Sequence, residues 1–334
     1  TRDLSTCAVG HLAQHTFGRI LHNHAKVKET ADIRYGCSVE SIEVTKDSAI
    51  VSTLDGRIQA DLVVAADGSE SPIRKSFGIH MHGTLAIQHL INVHVQLCPE
   101  QARALHANNN DFMLFSVFNP EVVAMVVCHS RGDYVIQIPY FPPYMTLEED
   151  FGPENIDRIV KALFGERVSD WTIQSIKSWT MSSLVADKYI AENRVALVGD
   201  AAHVFPPAGG FGMNTGLQDA HSIAWKIAML YQKGNLGESA RLKDMLVSYE
   251  NERRPIANQN AALSVRNYKR LLDVVRATYL NHDHSVMLQS LLNNSPLPMG
   301  IRQTALRSLV KTAMFPFSWL HQPKSSYASH IQEC

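Results

Sequence analysis

The chain has 334 residues, 45% of them hydrophobic and 19% charged, with a net charge of −1. That length can bury one large or two modest cores, and the composition excludes a disordered chain. The charge argues against nucleic acid or an anionic membrane as main partner, and no apolar run approaches the ~20 residues of an integral membrane segment.

In chain order, His11 to Ala25 reads as a helix with Leu12, Phe17, Ile20 and Leu21 on one side. Ile33 to Asp61 reads as β-structure with Asp55-Gly56 as a hairpin signal. A strand at Leu62 to Ala66 then meets the turn Asp67-Gly68-Ser69-Glu70-Ser71-Pro72, followed by a short helix that carries Arg74 and ends near Gly78. From His80 to Tyr140 the pattern is that of a mainly antiparallel sheet, with turns at Asn119-Pro120 and Arg131-Gly132. Pro142-Pro143 closes it, Glu148 to Phe164 predicts one helix, and Trp171 to Leu184 returns to β.

The next stretch is the most informative. Val195 to Val198 is a buried strand by composition. Gly199 to Gly216 reads as a loop through Pro206, Pro207, Gly209, Gly210 and Gly212, whose backbone must turn sharply or approach something closely. From Leu217 the spacing of Ile223, Ala224, Ile227, Ala228 and Leu230 predicts a helix, with Trp225 in the core. Strand, loop and helix N-terminus together form a nest of N–H groups suited to a phosphate or another electron-rich group. Two more helices are expected, Gly237 to Ala262 and one through about Leu280, then a tail with Pro296, Pro298, Pro316 and Pro323.

The expected class is α/β (α+β): a Rossmann-like layer system at 1–79 and 185–262, an inserted mainly antiparallel β domain at 80–184, and a C-terminal helical region at 263–334. Five cysteines (Cys7, Cys37, Cys98, Cys128, Cys334) form no C-x-x-C pair, which suits a reducing compartment, cytoplasm or organelle, better than a disulfide framework. The H-x-H pairs His22/His24, His80/His82 and His282/His284 lack completing ligands, so no metal site is expected. The opening TRDLSTCAVG has neither a signal-peptide core nor an initiator Met, and reads as processed, truncated or a fragment.

The run GDAAHVFPPAGGFGMNTGLQDAHSIAWKIA resembles the FAD-contacting motif of flavoprotein aromatic hydroxylases of the para-hydroxybenzoate hydroxylase and phenol hydroxylase type. AADGSESPIRKSFGI resembles the same family's Asp-Gly motif, YENERRPIANQN its Tyr-Glu-Arg-Arg-Pro helix, and HLAQHTFGRIL the helix that places a glutamine on FAD, here Gln14. The βαβ unit with G-x-G-x-x-G that opens that family, and holds the FAD pyrophosphate, is absent from these residues. Gly210 to Gly216 reads G-x-G-x-x-x-G and by itself would suit a nicotinamide dehydrogenase. Gly199-Asp200 and Pro206-Pro207 count against that, as does the lack of an acidic residue ending a second strand about twenty positions on.

The resemblance implies roles. Asp200 would accept from the ribityl hydroxyls, the plain alternative being a turn or cap aspartate. Gly199 and the backbone of Pro207, Gly209, Gly210, Gly212 and Met213 would lie along the flavin, with N–H donors and helix dipole favouring negative charge on the reduced ring. Pro206 and Pro207 would stiffen the loop beside flavin and substrate, and Asn214 is a cap or a flavin contact. Asp67, Gly68 and Arg74 would order the pyrophosphate region and nicotinamide use, the alternative for Arg74 being a surface salt bridge. His203 reads equally as a packed histidine or a ligand, and Glu252, Arg253 and Arg254 as a charged helix face. Gln88, Asn92, Gln137 and Tyr140 are polar groups on the inserted strands whose facing alternation leaves open.

The implied activity is an FAD-dependent, NAD(P)H-using monooxygenase that hydroxylates a small aromatic or phenolic substrate with O2 through a C4a-hydroperoxyflavin. A homodimer is compatible with it. The competing expectation is a truncated, non-catalytic remnant that binds flavin weakly or not at all and is prone to aggregate through exposed sheet edges.

Overall fold

The computed structural model describes residues 10–105, 113–118, 122–130, 132–165, 168–234, 239–277 and 298–305. Two compact units divide the chain: 22–87 with 181–271, and 1–21 with 88–180 and 272–334.

The first helix, α1 (Gln14–Lys26), forms as its spacing predicts, but none of its residues is buried. Leu12, Ile20 and Leu21 are exposed, so the apolar side found in the sequence does not make a core stripe.

In the 22–87/181–271 unit, β1 (Val39–Val44), β2 (Ala49–Thr53) and β3 (Gly56–Ala60) form an antiparallel meander in the order β1-β2-β3. Thr53 pairs with Gly56, so Leu54 and Asp55 occupy the turn and Gly56 opens β3, one residue earlier than the Asp-Gly signal suggests. Next comes β4 (Val63–Ala65), then the short α2 (Pro72–Ser76). After the inserted sheet, β10 (Ile190–Ala191) and β11 (Val195–Leu197) join β4 in a three-stranded sheet of order β10-β11-β4. β11 runs parallel to β4, with Val195 opposite Val63 and Leu197 opposite Ala65. All three β11 residues are buried, as expected of a parallel strand covered on both faces.

The other unit holds most of β5 (Met81–Leu97) and β9 (Trp171–Ala186), with α3 (Pro99–Leu105), β6 (Leu114–Phe118), β7 (Val123–Ser130) and β8 (Asp133–Pro139). Its strands lie in the order β9-β5-β8-β7-β6. One face carries Ile91, Val93, Val95, Val126, Ile136 and Ile138, buried with Ile156, Ile159 and Val160. The single helix expected over Glu148 to Phe164 is instead two, α4 (Leu147–Asp150) and α5 (Pro153–Phe164). Gly152 is the extended N-cap and Pro153 starts the second helix, because proline fits a first turn but not a helix interior. The turns expected at Asn119-Pro120 and at Arg131 lie outside the described residues, as do His282/His284.

Two helices close the chain's central part: α6 (Phe211–Gln232) and α7 (Ser239–Ala277). The expected break near Ala262 does not occur. α7 is one helix of 39 residues with Pro255 inside it. Side chains on both sides of Pro255 hydrogen-bond to the rest of the unit, which holds the helix through the backbone bond that proline removes.

Among the described residues no helix is long and apolar enough to cross a membrane. None of their His, Cys, Asp or Glu side chains is grouped to hold a metal ion. Cys37, Cys98 and Cys128 form no disulfide among the described residues, and the Cys128 thiol donates to the Ser130 carbonyl at 3.2 Å.

Candidate functional site

Because β4 and β11 are parallel, the turns that follow them leave the sheet at the same end. In open α/β sheets that end is where ligands bind. The first turn is organised by Asp67. Its Oδ1 accepts from the Ser71 hydroxyl at 2.6 Å and its Oδ2 from the Ile73 N–H at 3.1 Å. Ser71 caps α2 by accepting from the Arg74 N–H at 2.9 Å, and Gly68 supplies a φ of 87°.

Arg74 is 4% exposed and makes no surface salt bridge; the exposed pair there is Lys75 with Glu70 at 2.6 Å. Its Nη1 donates to the Ala201 carbonyl at 3.0 Å, joining the two turns. Its Nε is buried with no partner. Burial lowers its pKa against weaker opposing pulls from Glu70 and Asp67.

The second turn begins at Gly199, with φ of 58°, and runs as one 3-10 turn through Asp200 and Ala201. A two-residue strand, β12 (His203–Val204), then pairs with Val185 and Leu184 of β9. Asp200 faces solvent, yet enough protein surrounds its carboxyl that desolvation raises its pKa, with His203 pulling the other way. Pro206 is buried and Pro207 exposed. The Gly210 N–H closes a turn onto the Pro207 carbonyl at 3.0 Å.

The glycine-rich segment is shorter than the sequence suggests, because α6 begins at Phe211. Gly212, Met213, Asn214 and Gly216 are therefore helical. Gly216 is kept free of a side chain by close packing: a Cβ there would sit 3.2 Å from the Gly199 Cα. Gly209, at φ 118°, tolerates none either, since a Cβ would lie 2.4 Å from the Phe211 ring. Gly210 is the left-handed N-cap, and no side chain caps the first N–H groups of α6. Asn214 turns back to donate to the Gly210 carbonyl at 2.7 Å, and Met213 is exposed. Beside Asn214, a groove of about 440 Å³ opens along α6 and α7, lined by Gln218, His221, Ser222, Glu252 and Arg253 among others.

Asp219 lies at the centre of this arrangement and is fully buried. Its Oδ1 accepts from Arg253 Nε at 2.7 Å, and its Oδ2 meets His203 Nε2 at 2.6 Å and the Gly199 N–H at 3.2 Å. His203 is thus a packed histidine with a carboxylate partner, stacked on Phe205 at 4.8 Å between centroids. Arg253 is not part of a solvated face. Of its neighbours, Arg254 donates to the Asp187 carbonyl at 2.8 Å and Glu252 pairs with Lys226 at 2.7 Å. Trp225, expected in the core, is 46% exposed, and the Lys226 ammonium lies 4.3 Å above its ring. The buried stripe of α6 runs through Thr215, Asp219, Ser222, Ile223, Lys226 and Leu230, a helical phase that excludes Trp225.

Asp67, Gly68, Arg74, Gly199, Asp200, Pro206, Pro207, Gly209, Gly210, Gly212, Met213 and Asn214 all belong to one unit, and Gln14 to the other, where it is exposed. In that second unit Asn92 and Gln137 are cross-strand partners on the face opposite the apolar core. Asn92 accepts from Trp179 Nε1 at 2.8 Å. Gln88 is buried and donates to the His89 carbonyl, while Tyr140 packs against His89 and Phe151.

A parallel strand pair with two joined turns, followed by an uncapped helix at a glycine cradle, is an arrangement of the α/β class that suits a nucleotide cofactor. The comparisons give the family. The family model described as FAD binding domain matches residues 1–264, and the chain belongs to that family. It is 31% identical over 258 residues to a putative polyketide hydroxylase of Streptomyces halstedii, covering 75% of this chain and 44% of that protein. It is 30% identical over 275 residues to 4-methyl-5-nitrocatechol 5-monooxygenase of a Burkholderia species, covering 78% and 48%. The flavin-dependent monooxygenase PieE, solved with FAD and substrate, shares the fold with a TM-score of 0.69 at 20% identity, over 91% of this chain and 52% of that one. The chain spans about half the length of these relatives.

The chemistry of the residues present is compatible with FAD. Arg74 holds a buried, unpartnered N–H, Gly210 and Gly212 leave open space where side chains would stand, and the α6 N–H groups have no side-chain cap.

Proposed function

We propose that this chain carries the ring and ribityl half of the FAD site of an aromatic-ring monooxygenase that uses NAD(P)H and O2. Bound FAD, once reduced by the nicotinamide, supplies the activation of O2 and the transfer of one oxygen atom to an electron-rich ring. The observation that carries the reading is the Arg74 guanidinium joining the Asp67 turn to the Gly199–Ala201 turn beside an uncapped helix.

On this reading Asp200 accepts from ribityl hydroxyls. The N–H groups of Gly212 and Met213, with the α6 dipole, favour negative charge at the ring edge. The Gly210 N–H closes the loop onto the Pro207 carbonyl, and Asn214 fixes it by holding the Gly210 carbonyl. Arg74 and the Asp67-Gly68 turn bind towards the phosphates and the nicotinamide. In the other unit, the Asn92 and Gln137 face offers polar groups suited to an aromatic or phenolic substrate.

The test is flavin absorbance during FAD titration, then NADPH oxidation and O2 uptake with a panel of phenols. Saturable flavin binding with phenol-stimulated O2 uptake is expected. Nicotinamide binding without any flavin perturbation would overturn the reading.

A further inference from the structure

We propose that Arg253 is a positioning residue: acting through Asp219, it fixes the Gly199–Asp200 turn in shape before any ligand arrives. Four polar side chains of α7 reach the stretch from Leu197 to Asp219. The Tyr249 hydroxyl donates to the Leu197 carbonyl at 2.8 Å, where β11 ends. Arg253 binds Asp219 at 2.7 Å. Asn260 donates to Thr215 Oγ1 at 2.9 Å, and Asn267 to the Ala208 carbonyl at 3.3 Å. Their separations in sequence are 4, 7 and 7 residues, which keeps them on one side of the helix. Together they hold the end of the strand, the first turns of α6 and the loop between them.

Arg253 is the link that reaches the turn itself. A buried carboxylate such as Asp219 is tolerated only when paired and hydrogen-bonded. Arg253 supplies the charge on Oδ1, and it also donates to the Gln218 carbonyl oxygen Oε1 at 3.2 Å. That leaves Oδ2 to hold both His203 and the Gly199 N–H. The Gly199 N–H begins the turn that carries Asp200, and α6 lies directly against that turn, with Gly216 and Gly199 in backbone contact. The direction of Asp200 is thereby set by an arginine 53 positions away in sequence. The consequence for a cofactor is preorganisation, which lowers the ordering cost of binding. That consequence, though not the geometry, rests on the flavin reading above.

The experiment is amide hydrogen exchange on the 15N-labelled chain, paired with FAD titration, for wild type, Asp219→Asn, Arg253→Gln and Arg253→Lys. Losing a hydrogen bond to a charged acceptor should speed Gly199 exchange by about tenfold or more in Asp219→Asn and Arg253→Gln. Val195 and Leu197 of β11 should keep their protection, and Arg253→Lys, which retains the charge, should recover much of the effect. FAD affinity should fall by about tenfold in the same two variants and be partly restored by lysine. If wild type takes no FAD, the flavin reading fails while the exchange data still decide the positioning. If Asp219→Asn does not fold, the contrast between Arg253→Gln and Arg253→Lys decides it. Unchanged Gly199 exchange, or equal loss of protection at Gly199 and throughout β11, would overturn the proposal.

Discussion

Gly216 and Gly199 pack backbone to backbone, close enough that a Cβ on Gly216 would stand 3.2 Å from the Gly199 Cα. This contact lets α6 lie against the turn and brings Asp219, three residues on, to the Gly199 N–H. Gly216→Ala should lower stability, by an overpacking cost of about 1–3 kcal/mol less the roughly 1 kcal/mol that alanine gains over glycine inside a helix. Its effect on FAD binding should exceed that of an alanine at Gly18, where nothing lies within 4 Å. Thermal unfolding by circular dichroism and a flavin titration check both parts.

Arg74 predicts a separation of stability from binding. Its buried guanidinium has one hydrogen bond to Ala201 and an unpartnered Nε. Arg74→Met removes a poorly compensated buried charge, so stability should change by no more than about 1 kcal/mol in either direction. Cofactor affinity should fall clearly. Chemical denaturation beside FAD and NADPH titrations would show it, and a large stability loss would mean that Arg74 is structural.

Asp200 should behave in the same sense. Desolvation raises its pKa in the folded chain, so the charged form is disfavoured there. The stabilising contribution is present below the unfolded aspartate pKa and is lost as pH rises through the folded one. Asp200→Asn is expected to match or exceed wild-type stability at neutral pH and to flatten the pH profile, while weakening FAD. Unfolding midpoints from about pH 3 to about pH 8, a window that brackets the ordinary aspartate value of about 3.9, test this.

A second pH dependence resides in the other unit. His11 Nε2 meets His129 Nδ1 at 3.0 Å, His94 Nε2 meets Asp133 at 2.5 Å, and His15 lies 3.7 Å from the same carboxylate. Burial lowers the His129 pKa, reinforced by His11, His15 and His94 and opposed by Asp133. Folded stability from this group is complete above the unfolded histidine value of about 6.5 and is lost as pH falls from there through the folded value. His129→Gln should reduce that acid-side loss, as read from urea midpoints at successive pH values.

The strand, turn and helix order around the site was legible because β-branched runs, glycines and apolar spacing carry it locally. The boundaries were not. Gly212 and Gly216 look like loop residues, but both are helical; Gly216 packs closely on Gly199, while Gly212 stands beside open space. Trp225, expected in the core, is exposed and its neighbour Lys226 is buried, since the helical phase set by Asp219 and Ile223 outweighs side-chain type. Arg253 resembled a surface charge because its partner is 34 residues away on another helix. The one available signal was the recurrence of polar residues at Tyr249, Arg253, Asn260 and Asn267.

The most direct test of the central claim is FAD titration of the purified chain, followed in the visible flavin bands, for wild type and Gly210→Val. Gly210 sits at φ 66° with open space beside it, so valine would strain the cap and cover the cradle. The account predicts saturable binding with perturbed bands for wild type and its loss in the variant. No perturbation in wild type, or the same titration in both, would contradict it.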